Sequence, residues 1–160
     1  RKGLDVRGKS CLISGTGGVG SAIAASLAAD GVARMALFDV SAATADGLAE
    51  RLRLYYPAME VTTGSNDPAG FDLIVNATPL GMQPGDPLPF DVSRIGKDTF
   101  VGEVVMKQEI TPLLEAARNI GCRTQVGTDM LFEQIPAYLE FFGFGTTTAD
   151  ELRAVAKVSY

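Results

Sequence analysis

Four glycines lie close together in the stretch LISGTGGVGSAIAASLAAD, which covers residues 12 to 30. Three of them match the pattern G-x-G-x-x-G, and the fourth is an additional glycine inside it. An apolar strand-like segment precedes them and an alanine-rich helical pattern follows, which is the setting in which such a loop binds a dinucleotide's pyrophosphate. We therefore predict a dinucleotide-binding loop, the alternative being a purely structural turn. The residues of this loop are Gly15, Thr16, Gly17, Gly18, Val19 and Gly20.

Asp39 ends the second strand-like segment, RMALFD, 19 residues after Gly20 (39 − 20). At this place in NAD-binding folds an acidic side chain accepts hydrogen bonds from the adenosine ribose. Its charge would also repel the 2′-phosphate of NADP, and no Arg or Lys lies between Asp39 and Glu50 to neutralise that phosphate. The sequence therefore predicts NAD in preference to NADP. The alternative is that Asp39 is only a capping residue of the next helix.

Side chains that could move a proton are few. The chain contains no histidine, the commonest general acid or base and the commonest neutral metal ligand. Lys107, Asp129 and Glu133 could approach a cleft, but a catalytic lysine usually needs burial or a cationic neighbour to lower its pKa, so a solvated Lys107 is the better interpretation. We predict no catalytic residue and no metal site here, and a chain that binds its cofactor without turning over substrate alone.

Apolar strand-like segments alternate with helical patterns along the chain. The predicted strands are 10–15, 34–39, 59–63, 71–78, 99–106 and 123–127. Helices are predicted at about 18–29, after Ser41, after Thr111 with Pro112 in the first position, over 128–143, and after the capping box Thr148-x-x-Glu151. Pro136 predicts a kink or a late start in the fourth helix. Because such alternation requires crossover connections, we expect an α/β, doubly wound parallel sheet of about six strands with helices on both faces.

Three further motifs follow the glycine loop in a fixed order. They are NATPLGM after the fourth predicted strand, TPLLEAARNIG after the fifth, and GTDMLFEQ at the last long helix. With these motifs the chain, from about residue 8 to residue 143, resembles the cofactor domain of the shikimate/quinate dehydrogenase family. The resemblance implies reversible oxidation of a ring hydroxyl of shikimate, quinate or a related cyclic hydroxy acid to the ketone, with NAD or NADP as the cofactor.

The resemblance also implies roles for individual residues. The residues that would line the cofactor are Asn76, Ala77, Thr78, Val104, Gly127, Met130 and Leu131. Gln134 matches a family glutamine that binds the hydroxylated ring of the substrate. Three alternatives stay open: Asn76 is a satisfied turn residue, Met130 and Leu131 are helix-face core, and Gln134 is exposed to solvent.

The chain departs from the family pattern at several positions. Met106 stands where the family has a substrate-site tyrosine, so a phenolic hydrogen bond is lost, and Gln108 replaces a proline. NADP-using members carry an N-R-T-x-x-R-type stretch after the second strand. Its two arginines are missing here, where the chain has Asp39, Val40, Ser41 and Thr44. The resemblance therefore agrees with NAD as the cofactor, and it leaves the identity of the substrate open.

The family takes its catalytic lysine and aspartate from a substrate-binding domain that precedes the cofactor domain. Nothing in residues 1–160 matches that domain, so we expect a missing N-terminal domain of the same polypeptide, a linker at 1–9 and a C-terminal helix within 147–160. Two alternatives remain. One is an NAD-binding regulatory module without catalysis, and the other is the cofactor half of a different two-domain dehydrogenase, such as a glutamyl-tRNA reductase-like protein.

Composition narrows the partners. A net charge of −5, without a Lys/Arg run, argues against nucleic acid, and the longest apolar run is too short to span a bilayer. Cys11 and Cys122 lie in different apolar segments without metal-like spacing, which favours reduced thiols in a cytoplasmic protein. A homodimer is compatible with the sequence, which leaves the oligomeric state open.

Overall fold

A computed structural model of the chain describes residues 3–156. Six strands form one sheet in the order β3-β2-β1-β4-β5-β6, and all five pairings are parallel. The strands are β1 Ser10–Ser14, β2 Arg34–Phe38, β3 Glu60–Thr63, β4 Leu73–Asn76, β5 Phe100–Glu103 and β6 Arg123–Gln125. The strand order reverses between β1 and β4, which is the point where open α/β sheets bind their ligands.

Helices cover both faces of this sheet. The helices are α1 Gly18–Ala29, α2 Ala42–Tyr55, α3 Pro112–Ile120, α4 Gly127–Phe141 and α5 Ala149–Val155, with a short 3₁₀ helix at Val92–Arg94. On one face α1 and α2 pack against Ile13, Leu37 and their neighbours. On the other face α3 packs against Leu12 and Ile74. The predicted six-stranded, doubly wound α/β fold is confirmed.

The helix starts follow local hydrogen bonding that the sequence indicates. Thr111 accepts a hydrogen bond from Leu114 N at 3.3 Å, and Pro112 occupies the first turn, where its missing N–H is not needed. Thr148 and Glu151 form the predicted capping box of α5. Ser41 lies at the N-cap position of α2, but its side chain caps no amide.

Some predicted boundaries were wrong. Strands β4 and β5 are shorter than predicted because each ends at a polar residue that bonds the following backbone, Asn76 to Thr78 N and Glu103 to Val104 N. The late start predicted from Pro136 is also wrong, because α4 begins at Gly127 and continues through the proline. A proline removes only one N–H donor from a helix. Because α4 is partly exposed around Pro136, the loss of this one hydrogen bond does not end the helix.

The last helix is held against α4 by Arg153. Its guanidinium lies 3.3 Å from the carboxylate of Asp129 and 3.0 Å from that of Glu133, and it also bonds Asp150 at 2.9 Å. The ends of the predicted linker (residues 1 and 2) and of the predicted C-terminal helix (157–160) lie outside the described residues.

Candidate functional site

Four strands end in one row at the carboxyl edge of the sheet. The parallel register pairs Ser14 with Phe38 and with Asn76, and it pairs Asn76 with Glu103. Four segments therefore lie side by side at this edge: the glycine loop, Asp39, the NATP segment and Val104. Three backbone hydrogen bonds join neighbouring strand ends: Gly15 N to Phe38 O at 2.8 Å, Ala77 N to Ser14 O at 2.7 Å and Val104 N to Asn76 O at 3.2 Å.

Two glycines of the loop permit close backbone approaches. Gly15 has φ +92°, and a Cβ there would lie 2.6 Å from the carbonyl carbon and oxygen of Ala77. A Cβ at Gly20 would overlap the carbonyl oxygen of Gly15. No other residue type fits these positions without shifting the backbone, so both glycines are required by the packing of the loop itself.

The other two glycines, Gly17 and Gly18, face open space. A Cβ at either position would meet no atom within 4 Å, and both residues are exposed. Gly17 is the N-cap of α1, and no side chain caps the first amides of this helix. Such amides carry a partial positive charge and bind anions. The loop therefore fits the pyrophosphate of a dinucleotide in both space and charge.

Asp39 links the end of β2 to the glycine loop. Its Oδ2 accepts hydrogen bonds from Thr16 N at 2.8 Å and Thr16 Oγ1 at 2.9 Å, and its Oδ1 accepts one from Ser41 N at 3.0 Å. The backbone amide of Thr16 and then that of Ser41 hold the pKa of Asp39 below its usual range. Asp39 therefore presents a fixed negative charge, half-buried, beside the loop, and it also bonds the N-cap residue of α2.

Asn76 bonds its own loop rather than open space. It is 0% exposed; its Nδ2 donates to Leu80 O at 2.9 Å, and its Oδ1 accepts from Thr78 N at 3.1 Å and Thr78 Oγ1 at 2.6 Å. These bonds favour the alternative of a satisfied turn residue for the side chain of Asn76. Ala77 and Thr78 are half-buried at the edge, so they are more accessible to a ligand than the side chain of Asn76 is.

Glu103, at the end of β5, was missed in the sequence analysis. It is 3% exposed, and its carboxylate accepts hydrogen bonds from Asn76 Nδ2 at 3.0 and 3.1 Å and from Thr111 Oγ1 at 3.0 Å. Burial raises the pKa of Glu103, and hydrogen bonds from Val105 N, Asn76 and Thr111 oppose that rise. A single acidic residue inside the apolar segment TFVGEVVM was the available signal, since a buried charge is retained only with partners.

The residues predicted for the nicotinamide side lie just after the end of β5 and at the start of α4. Val104 is half-buried, and a Cβ at Gly127 would overlap the carbonyl oxygen of Val105, so this glycine lets α4 start against the end of β5. Leu131 is 39% exposed and Met106 is 46% exposed. Leu131 is therefore not a core residue. Gly127 has a structural reason of its own, independent of any cofactor contact.

A groove of about 580 Å³ runs between α1 and α4, over β4 and β5. Val19, Met130 and Gln134 line it, so the half-buried Gln134 is not the fully exposed residue of the alternative reading. The groove continues to Leu4 and to Phe100, at the opposite end of β5. The groove therefore extends beyond the carboxyl edge, where the predicted dinucleotide-binding loops lie.

The candidate proton carriers of the sequence are engaged elsewhere. Lys107 is exposed and its Nζ lies 3.3 Å from Gln83 Oε1, while Gln108 Nε2 donates to Gly81 O at 2.7 Å. Asp129 and Glu133 pair with Arg153. The first two contacts join the loops after β4 and β5, and the ion pairs join α4 to α5. None of them gives Lys107, Asp129 or Glu133 the setting of a general base.

Among residues 3–156 there is no group of three or more His, Cys, Asp or Glu side chains that could hold a metal ion. Within the same residues, every helix is too short or too polar to cross a membrane.

No protein-family model matches the chain. The quinate/shikimate dehydrogenase (NAD(+)) of Corynebacterium glutamicum strain R is 38% identical to it over 135 residues, 81% of this chain and 48% of that protein. The shikimate dehydrogenase (NADP(+)) of Jannaschia sp. strain CCS1 is 34% identical over 143 residues, 89% of this chain and 51% of that protein. The chain is a relative of the shikimate/quinate dehydrogenases. The resemblance stated from the four motifs is confirmed.

A solved structure agrees with this relationship. Quinate dehydrogenase from Corynebacterium glutamicum in complex with NAD superposes with a TM-score of 0.81 and 34% identity, covering 94% of this chain and 55% of that one. The chain thus spans about half the length of the curated shikimate/quinate dehydrogenases that it matches. Both NAD(+) and NADP(+) occur in the names of these relatives.

Proposed function

We propose that this chain is the NAD-binding domain of an oxidoreductase that reversibly oxidises a ring hydroxyl of shikimate, quinate or a related cyclic hydroxy acid to the ketone. The observation that carries the proposal is the bonding of the Asp39 carboxylate to Thr16 of the glycine loop, at 2.8 and 2.9 Å, in the row of strand ends. The relatives, which are named as dehydrogenases of quinate and shikimate, support the substrate class.

The chemistry that NAD supplies when bound is acceptance of a hydride from the alcohol carbon. This chain's own residues bind and orient the cofactor. The open amides at Gly17 and Gly18 bind its phosphates, and Asp39 accepts hydrogen bonds from its adenosine ribose. Ala77, Thr78 and Val104 line its path along the edge, and Met130 and Leu131 cover its nicotinamide side.

The preference for NAD over NADP rests on charge. Hydrogen bonds lower the pKa of Asp39, so its carboxylate is ionised at neutral pH, when the cofactor binds. A 2′-phosphate beside it would place two anions together without a compensating cation, because the helix that follows has no Lys or Arg before Arg51. NAD brings a neutral ribose hydroxyl to the same place and donates a hydrogen bond.

The general acid and base belong, in this proposal, to a substrate-binding domain that precedes these residues in the same polypeptide. The ion pairs of Arg153 with Asp129 and Glu133 support this assignment, because they occupy the two carboxylates of α4 that could approach the cleft. Gln134 and Met106 would then face the substrate across the cleft between the domains. A cytoplasmic location remains our prediction from the two cysteines, both of which are buried and free.

Calorimetric titration of the chain with NAD and with NADP tests the cofactor. NAD is expected to bind more tightly. In Asp39→Asn the preference should narrow, because an amide no longer repels a 2′-phosphate. Asp46→Asn is the matched control, since this carboxylate on α2 is exposed and accepts a hydrogen bond from Thr63 Oγ1 at 2.7 Å. Tighter binding of NADP by the unaltered chain contradicts the assignment.

Activity is tested with the full-length protein and a panel of cyclic hydroxy acids, each with both cofactors. Oxidation of shikimate, quinate or a close analogue is expected, and the chain alone should form no NADH. NADH formation by the chain alone would contradict the placement of the acid and base. Binding of NAD by the full-length protein without turnover of any hydroxy acid would instead favour a regulatory module.

A further inference from the structure

Glu103 is a buried carboxylate whose partners, among the described residues, are all neutral hydrogen-bond donors. One oxygen, Oε1, accepts from Val104 N at 2.8 Å, from Val105 N at 3.0 Å and from Asn76 Nδ2 at 3.0 Å. The other, Oε2, accepts from Asn76 Nδ2 at 3.1 Å and from Thr111 Oγ1 at 3.0 Å. A carboxylate is the only side-chain group that can accept from four donor groups with both of its oxygens.

These bonds connect three separate segments of the edge. Through Asn76, Glu103 holds the loop that contains Thr78 and Leu80, because the same amide bonds both of those residues. Through Thr111 it holds the N-terminus of α3. Through its own next two amides it fixes the backbone at Val104 and Val105, against which α4 begins at Gly127.

The loops after β1 and β2, the proposed adenosine half of the edge, are held by hydrogen bonds of their own. Thr16 and Ser41 hold Asp39 directly, and Gly15 packs against the backbone of Ala77 and Thr78. Within the described residues, the hydrogen bonds of Glu103 and those of Asp39 share no partner. A change in the hydrogen bonds of Glu103 therefore leaves those of Asp39 in place, and the contact of Gly15 with Ala77 and Thr78 is the link between the two halves.

Burying a carboxylate among neutral donors costs desolvation free energy that a neutral side chain would avoid. Capping the end of β5 alone would need only an acceptor for one or two amides. The position of Glu103 joins the segments that line the nicotinamide side of the proposed site, and this points to a role in their geometry.

We propose that Glu103 is a positioning residue that holds the nicotinamide half of the cofactor site in its binding geometry and leaves the adenosine half unaffected. This inference rests on the proposed binding of NAD. Glu103 acts through Asn76 and through the backbone of Val104 and Val105, and its side chain does not touch the cofactor.

The test compares NAD with ADP-ribose, which contains the adenosine, both phosphates and both riboses but no nicotinamide ring. In Glu103→Gln the amide has one acceptor oxygen and an NH₂ that faces Asn76 Nδ2, so the network loses part of its bonding. We expect about a tenfold loss in NAD affinity, which is about 1.4 kcal/mol, and a change in ADP-ribose affinity within about twofold. Asp39→Asn is the matched control and should weaken both ligands by a similar factor.

A purely structural role would give a different result. Equal weakening of NAD and ADP-ribose in Glu103→Gln, or no weakening of either, overturns the inference. If the unaltered chain binds neither ligand, the proposed cofactor itself is wrong, and this outcome is distinct from failure of the inference.

Hydrogen exchange on the unaltered chain gives a second test that needs no variant. NAD should slow exchange of the amides of Val104, Val105 and Thr78 more than ADP-ribose does, because only NAD reaches the segments that Glu103 holds. Equal protection of these amides by both ligands contradicts the inference. This measurement decides the matter even if Glu103→Gln does not fold.

Discussion

The loops after β1 and β2 and the loops after β4 and β5 reach the same edge of the sheet, but different interactions hold them. After β1 and β2, on the proposed adenosine side, glycines at 15 and 20 permit close backbone contacts, and a half-buried carboxylate, Asp39, bonds the loop. After β4 and β5, on the proposed nicotinamide side, the buried side chains of Asn76 and Glu103 bond each other and the backbone that follows them.

This difference separates two kinds of site residue. The adenosine side presents its chemistry outward, so its residues must be of particular types at particular spacings, and a sequence pattern finds them. The loops after β4 and β5 obtain their shape from an internal network, and the bond between its members Asn76 and Glu103 could be recognised only after β4 and β5 were placed next to each other.

The largest effects are expected where a glycine permits close contact. Gly20→Ala places a Cβ on the carbonyl of Gly15, and Gly127→Ala places one on the carbonyl of Val105. Each should lower the free energy of unfolding by about 1–3 kcal/mol, measured by chemical denaturation. Gly17→Ala is the control, since its Cβ meets nothing within 4 Å. It should leave stability within about 0.5 kcal/mol while weakening NAD binding.

If Gly17→Ala lost as much stability as Gly20→Ala, the division of the loop into packing and binding glycines would be wrong.

Two threonine substitutions compare how much the hydrogen bonds of Glu103 and of Asp39 contribute to stability. Thr111→Val removes the hydroxyl that donates to Glu103 and accepts from Leu114 N, and should lower the free energy of unfolding by about 1–2 kcal/mol. Thr16→Val removes one hydroxyl donor to Asp39. The carboxylate of Asp39 still accepts a hydrogen bond from the backbone amide of residue 16, and it can also be solvated by water because it is only half-buried. The loss of stability in Thr16→Val should be smaller in the same denaturation measurement.

Thr111→Ser retains the hydroxyl and should recover most of the stability lost in Thr111→Val. A larger loss in Thr16→Val than in Thr111→Val would reverse the comparison between the two sides.

The smallest effects are those of pH, and they have opposite signs. The pKa of Asp39 is lowered from 3.8, so its contribution to stability is present above that value and is lost as pH falls through the folded pKa. The pKa of Glu103 is raised from 4.5, so its contribution is present below that value and is lost as pH rises through the folded pKa.

Free energies of unfolding, measured against pH for the chain, Asp39→Asn and Glu103→Gln, check both signs. Relative to Asp39→Asn, the unaltered chain should lose stability below about pH 3.8. Relative to Glu103→Gln, it should lose stability as pH rises above about 4.5. If the stability difference from the unaltered chain changed with pH in the same direction for both variants, the two carboxylates would not have the different environments described above.

Much of the fold could be predicted because its signals are local. Apolar runs gave the strands, Thr111 with Pro112 and the capping box gave two helix starts, and their alternation gave the parallel sheet. The ends of β4 and β5 could not be predicted. Asn76 and Glu103 end those strands by bonding the next amides, and their effect depends on the pairing of residue 76 with residue 103.

The candidate site divides in the same way. The glycines and Asp39 came from spacing, whereas the role of Gly127 depends on contact with Val105, which is distant in the chain. The late start predicted from Pro136 was wrong because a local rule does not see the rest of the helix, which begins at Gly127 and includes the proline.

The strand order also bears on how the edge assembles in time. Cys11 pairs with Met35, 24 residues later (35 − 11), and with Leu73, 62 residues later (73 − 11). Since longer loops cost more closure entropy and distant contacts slow folding, we expect β1 to join β2 early and β4 late. A dinucleotide that spans both sides would then stabilise contacts formed after the main folding barrier. Its kinetic effect would be slower unfolding, with the rate of folding nearly unchanged.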